Sequence, residues 1–544
     1  MKIEFVGAAR TVTGSSYIVK NEDFTIMVDC GMFQGTRELR ERNHLGLIYA
    51  PDKIDALVVT HAHIDHSGLI PKLVKEGFRG SIFATRATVD LLSIMLPDSA
   101  HIQEMDAEWF SRRRKKAGRE PLPPLYTAED AAEAIKYLKP IEYGEEFEVV
   151  PNVRARFRDA GHILGSAFVE MNVTEKGETK RIIFSGDIGP RDQAIIRNAE
   201  MPGDTDYLLI ESTYGNRLHK SKPDTYNEFK TVINDTYNAK GNIIIPSFAV
   251  ERTQEIIFTL GQLFREGLIP RIPVYIDSPL AVSSTEIFNR NPDCYNDEMR
   301  KIMSSGANPL EFPNLHYIRT TEESKKLNDT AKGAIIISAS GMCTAGRIKY
   351  HLQNNLYKKE SSVIFVGYQA EGTLGRMLVD GAKEVRLYAE TVVVKAKVHT
   401  LGGFSGHADR DGLLSWMSSI KNPKLQVFVV HGEGEAADSF ADHIHSNLGH
   451  HVYVPSWGEI IDLQTMKSET SKYGEAAAVS AVAAVEKHEI IEDEFMEIRS
   501  VLDELEKKYR EIREEEGIKG YRFRRFKEEM QDVKALVKIV KERI

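Results

Sequence analysis

A chain of 544 residues, 42% hydrophobic and 28% charged, has a soluble globular composition and is too long for one core. Its three cysteines, Cys30, Cys294 and Cys343, exclude a disulfide framework and a cysteine-built zinc site, and fit a reducing, cytoplasmic setting. A net charge of −9 argues against a nucleic-acid coat protein but leaves a nuclease open, because metal ions can supply a local positive field.

The N-terminal stretch MKIEFVGAARTVTGSSYIVK lacks an apolar h-region, so no signal peptide is expected. Nothing in the chain reaches the roughly 18 apolar residues of a membrane span. Residues 1–206 alternate short β-like runs (KIEFVGAA, FTIMVDCG, DALVVTHAH, RIIFSGD) with helical patterns such as VDLLSIML and TAEDAAEAIKYL, a mixed α/β layered domain. From 207 the strands DYLLIEST, GNIIIPSFA, PVYIDSP and GAIIISASG become continuously apolar and alternate with helices. That rhythm predicts βαβ units and a buried parallel sheet over 207–385. The β rhythm of the first part returns over 386–465, followed by an Ala-rich connector, 466–485.

The tail, 486–544, carries two apolar series at heptad spacing, Phe495 to Ile512 and Phe523 to Ile544, with Gly517 and Gly520 bracketing a turn. We read an αα-hairpin whose stripes face each other or a partner. Their length and regularity point to self-association, so a homodimer through these helices is expected.

The densest chemistry lies in VVTHAHIDHSGLIPKL, where His61, His63, Asp65 and His66 follow an apolar strand and precede a helix-like segment. Neutral imidazoles and a carboxylate in one strand-end turn suit zinc, and one such loop can feed two neighbouring ions. Further strand-end candidates are Asp29, His162, Asp187 and His431, each within two residues of a glycine. Taken singly, each of these is more often a loop-capping residue; together with the cluster, that capping reading weakens sharply.

His61-x-His63-x-Asp65-His66 resembles the signature of the metallo-β-lactamase superfamily, with Asp29, His162 and Asp187 in its usual order. LLIESTYGNR with Glu211, GGFSGHADR with His407 and VVHGE with His431 resemble the three motifs of its β-CASP, nucleic-acid-cleaving branch. The likeness covers roughly 1–465 and is strongest to bacterial and archaeal relatives of the nuclease subunit of the cleavage and polyadenylation specificity factor. It implies an αββα sandwich (1–206 and 386–465) with an inserted β-CASP α/β domain (207–385), the helical hairpin being an addition. The N-terminal KH modules of many archaeal relatives are not expected here.

The resemblance further implies two Zn2+ per chain. One would take His61, His63 and His162, the other Asp65, His66 and His431, with Asp187 bridging and Asp29 orienting a ligand from behind. It implies a zinc-dependent ribonuclease acting on single-stranded RNA through a hydroxide activated between the metals. Endonucleolytic cleavage is the reading taken, with 5′-exonuclease action as its alternative. Asp65, Asp187, Glu211 and His407 are the expected catalytic residues, His407 as general acid and Glu211 as its partner. Small donors at the β-CASP strand ends, Ser247, Ser340 and Gly341, with Arg252 and Arg347, are expected to touch phosphate, against helix capping as the plainer role. A small-ester or thioester hydrolase and a non-catalytic RNA-processing scaffold are the competing functions. The 207–385 insertion argues against the first, and the complete motif set against the second.

Overall fold

The computed structural model describes residues 1–44, 49–116, 120–370, 372–388 and 390–470. The expected hairpin 486–544, and with it the dimer reading, lies outside the described residues.

Two sheets face each other. The first runs, in order, through Ser468–Thr470, Glu459–Asp462, Lys2–Phe5, Tyr17–Lys20, Thr25–Val28, Ala56–Val58, Ser81–Thr85 and Leu138–Ile141. The second runs through His451–Tyr453, Gln426–Val430, Tyr207–Glu211, Glu178–Phe184, Ala167–Glu175, Val153–Asp159 and Glu146–Val150. Between them lies one apolar layer built from both, with Phe5, Val28, Val58, Phe157, Phe184 and Phe428 among its buried members. On the outer face of the second sheet, Leu208, Ile210, Val427 and Val429 pack against Leu413, Trp416, Phe440 and Ile444 of the helices Arg410–Met417 and Gly434–Leu448. The helices Arg86–Lys116 and Ala128–Ile135 pack beside the first sheet, Arg86–Lys116 directly on its strands Ser81–Thr85 and Leu138–Ile141. The layers are therefore α, β, β, α, as the resemblance implies.

Tyr207–Glu211 shows why the pattern is readable only in part. Tyr207 and Leu209 face the inter-sheet layer, whereas Leu208 and Ile210 face the helices. A strand covered on both faces needs apolar residues at every position. It pairs in parallel with Glu178–Phe184 and Gln426–Val430, inside the sandwich. The expected domain boundary at 207 is thus corrected: this strand looks like a β-CASP strand because its environment is the same.

A third, six-stranded sheet is wholly parallel: Leu315–Tyr317, Val274–Ile276, Ile335–Ser338, Ile243–Pro246, Ser362–Phe365, Lys397–Thr400. Lys397–Thr400 belongs to it, so the inserted lobe runs past the expected boundary at 385. The hairpin Glu384–Leu387 with Glu390–Val393 forms a small sheet of its own. At the other end, Ser468–Thr470 pairs with Glu459–Asp462, so the sandwich also continues past 465 into the expected connector.

Phe428 is fully buried in the inter-sheet layer, 5.5 Å from the Phe5 ring. Phe428→Ala should destabilise the sandwich by about 3–5 kcal/mol, read as a lowered midpoint in urea denaturation. A midpoint at the wild-type value would contradict the packing described.

Candidate metal centre

Every candidate ligand leaves the carboxyl end of a sandwich strand. Asp29 follows Thr25–Val28, His61 and His63 follow Ala56–Val58, and His162 follows Val153–Asp159. Asp187 follows Glu178–Phe184, Glu211 ends Tyr207–Glu211, and His431 follows Gln426–Val430. Asp65 and His66 lie on the one-turn helix Ile64–Ser67. The chain is crowded here: a Cβ on Gly31 would stand 1.8 Å from the Asp65 carbonyl oxygen. Asp29 and His431 both adopt left-handed backbone, with φ of 58° and 47°. For a histidine this is costly and persists only where neighbours over-determine it. His431 N–H donates to Ala8 O at 2.7 Å, and its carbonyl accepts from Ser212 N–H at 3.1 Å.

Two donor sets emerge. In the first, His63 Nδ1 stands 3.1 Å from both His61 Nε2 and His162 Nε2. Asp187 Oδ2 is 3.5 Å from each of those Nε2 atoms. Four tetrahedral donors about 2.0–2.1 Å from a zinc ion lie about 3.3–3.4 Å from one another, so these spacings fit one ion. In the second set, His66 Nε2 is 3.1 Å from His431 Nε2 and 3.3 Å from Asp187 Oδ1, and Asp65 Oδ2 is 3.5 Å from His431 Nε2. Asp187 Oδ1 is buried with no hydrogen-bond partner. A buried carboxylate oxygen left that way calls for a cation.

The rings are turned by what lies behind them. Thr60 N–H and Oγ1 donate to Asp29 at 2.7 and 2.8 Å, and His66 Nδ1–H donates to Asp29 Oδ2 at 2.8 Å. With its proton committed to Asp29, Thr60 Oγ1 accepts from His61 Nδ1–H at 3.1 Å. Likewise His162 Nδ1–H donates to Gly406 O at 2.7 Å and His431 Nδ1–H to Thr213 Oγ1 at 3.0 Å. Each arrangement leaves Nε2 as the lone-pair nitrogen aimed inward. Burial holds the His61 and His162 imidazoles well below their ordinary range and His63 at about 4, so they are neutral. Burial pushes the Asp65 carboxyl up, but His431 and its neighbours prevail and hold it at about 2.

His407 lies over both sets, its ring 4.5 Å from His162 and 6.1 Å from His431. Its Nδ1–H donates to Glu211 Oε2 at 2.9 Å, and Glu211 Oε1 accepts Ile188 N–H at 2.6 Å. Glu211, Asp187 and His431 also lie within 4.8 Å of one another. Both Glu211 oxygens are already engaged, so we assign Glu211 to His407 rather than to a metal. Burial lowers the His407 ring pKa, but Glu211 and Asp187 outweigh it and raise the value to about 9. One fifth of the side chain stays exposed, enough for a substrate to reach it.

The expected phosphate contacts fare differently. Ser247 is buried; its Oγ accepts from Thr253 Oγ1 of the following helix and donates to Phe248 O. Ser340 Oγ accepts Thr344 N–H at 3.0 Å, and Gly341 O accepts from Gln369 at 3.1 Å. Arg347 is paired to buried Asp277 at 2.6 Å. The two serines, the Gly341 carbonyl and Arg347 thus each have a partner within the protein. Arg252 is paired to Glu255, yet its Nη2 lies 3.1 Å from where a Gly406 Cβ would stand, beside His162. Thr60, Thr213 and Tyr214 were not legible as site residues; only their adjacency to His61 and Glu211 hinted at them.

Comparison with known proteins agrees with this geometry. Models of the metallo-beta-lactamase superfamily, the Beta-Casp domain and the Zn-dependent metallo-hydrolase RNA specificity domain match residues 9–81, 253–378 and 391–455. Ribonuclease TTHA0252 of Thermus thermophilus is 38% identical over 436 residues, 80% of this chain and 94% of that protein. Transcription termination factor FttA of Methanocaldococcus jannaschii is 31% identical over 465 residues, 84% of this chain and 70% of that protein. The FttA of Thermococcus kodakarensis is 30% identical, with the same coverage of both chains. The donor set fits zinc, in keeping with the matched zinc-dependent domain.

Asp29→Ala removes the acceptor that turns His66, and should weaken zinc binding about 10–100-fold in a chelator-competition titration. Unchanged affinity would show that His66 orients without it.

Proposed function

This chain belongs to the β-CASP family of the metallo-β-lactamase superfamily, and on that premise we propose that it is a zinc-dependent ribonuclease cleaving single-stranded RNA endonucleolytically. The observation that carries the reading is the His407–Glu211 pair standing over two donor sets that share Asp187. His61, His63 and His162 would hold one zinc, Asp65, His66 and His431 the other, with Asp187 between them. When bound, zinc supplies positive charge for the phosphate oxygens and lowers the pKa of the attacking water.

The chain's own part is orientation and proton delivery. Glu211 fixes Nδ1 of His407, so Nε2 carries the proton toward the leaving ribose oxygen. Ring burial around Asp187 keeps bulk water out. The inserted lobe supports a polymer substrate rather than a small ester, which needs no such cover. Three buried free cysteines accord with a reducing cytoplasm, and no described helix is long and apolar enough to cross a membrane.

Purified protein and its His407→Ala variant should be given the same single strand as internally labelled RNA and DNA, with either a 5′-monophosphate or a 5′-triphosphate. We expect internal RNA fragments indifferent to the 5′ end, slowed about 10²–10⁴-fold in the variant at equal zinc content. Mononucleotides that require the 5′-monophosphate would replace endonuclease by exonuclease. No cleavage of either polymer by zinc-loaded protein would sink the nuclease reading and restore the small-ester one.

Residues 486–544 are proposed to join two chains. Deleting them should halve the mass in light scattering, and an unchanged mass would remove the idea.

A further inference from the structure

The segment after Glu211 holds a group that neither the metal donors nor His407 uses. Tyr214 is buried, its ring 6.1 Å from the His407 ring. The Arg217 guanidinium lies 5.1 Å from the Tyr214 ring centroid and 5.7 Å from that of Tyr368. The two tyrosines are 6.2 Å apart and nearly perpendicular, at 84°. Tyr368 comes from the inserted lobe, just past Ser362–Phe365, and its hydroxyl donates to Glu433 Oε1 at 2.6 Å, two residues beyond His431. His219 closes the wall from behind: Nε2–H donates to His407 O at 3.0 Å, and the ring meets Tyr214 edge-on at 4.6 Å.

Arg217 is exposed. An exposed arginine ordinarily pairs with a carboxylate or wanders in solvent. This one is within cation–π range of two rings fixed from both lobes. Among the described residues, no carboxylate forms an ion pair with its side chain. Glu433, the carboxylate of the cluster, accepts Tyr368 instead. Among the described residues the guanidinium donates no side-chain hydrogen bond, so its N–H groups are open to an acceptor, and that fork matches two phosphate oxygens. The run of ring contacts from His162 through His407 and Tyr214 to Arg217 leads away from the metal donors along the proton donor's side.

Resting on the ribonuclease reading, we infer that Arg217 is a substrate-binding residue that grips the RNA phosphodiester next to the scissile one, on the side of the leaving ribose oxygen. Tyr214 and Tyr368 preorganise it, which cuts the entropy lost on capture.

The test compares RNA with bis(p-nitrophenyl) phosphate, whose only phosphate is the scissile one. For Arg217→Ala on RNA, KM should rise about tenfold with kcat within about twofold, and the salt slope of RNA binding should fall by about one unit. The loss in kcat/KM on RNA should exceed that on the small diester by about tenfold. Arg217→Lys should keep the salt slope while recovering only part of KM. Equal losses on both substrates would make Arg217 a prop for His407 and overturn the inference, as would an unchanged KM and slope. A wild type that hydrolyses the small diester but neither binds nor cleaves RNA would overturn the ribonuclease reading itself, and this inference with it.

Discussion

The buried Asp187 carboxylate governs the rest of the site. One oxygen faces His61 and His162, the other His66. A buried charge is tolerated only when it is paired or bound to a metal. Burial alone would raise this carboxyl; His431, His66 and the neighbouring rings hold it well below the usual carboxylate range instead. The His61, His63 and His162 imidazoles beside it are kept neutral by the same burial, and so offer lone pairs rather than protons. Anion, lone pairs and spacing together define a place for divalent cations, and the strand ends of both sheets exist at that edge to supply them.

The two lobes are stitched together around this place. Glu251 of the inserted lobe, itself in left-handed backbone with φ of 64°, accepts Leu164 N–H at 2.9 Å. Leu164 stands two residues past His162, so a metal ligand's loop is gripped by the lobe that covers it. Burial, with Glu255 nearby, raises the Glu251 carboxyl to about 8. Asn291 donates to Asp90 at 3.0 Å, and Ile196 bridges Tyr295. Tyr368 and Glu433 make another such tie. Tyr368 of that last tie is also one ring of the aromatic wall beside Arg217.

Much of the centre was legible before any coordinates. Four ligand-type side chains in a strand-end turn, His61 to His66, have no ordinary structural use, and Asp29, His162, Asp187 and His431 share their position after apolar runs. Sheet membership was not legible. Tyr207–Glu211 and Lys397–Thr400 are strands whose local pattern does not say which sheet they join, because a double-covered strand reads the same in either. Nor were the partners that Ser247, Ser340 and Arg347 take within the fold, because a serine at a strand end can cap its own loop or hold a phosphate. The contacts of Arg217 with Tyr368 and of Leu164 with Glu251 join segments far apart in the chain, so no local spacing encodes them. The pairing of Glu211 with His407 was anticipated from family likeness alone.

The most direct test of the account is anomalous scattering from crystals of the zinc-loaded protein, recorded on both sides of the zinc edge. The account predicts two zinc peaks about 3.5–4 Å apart, one among His61, His63 and His162, the other among Asp65, His66 and His431, with the Asp187 carboxylate between them. A single peak at full occupancy, or a pair that Asp187 does not bridge, would contradict it.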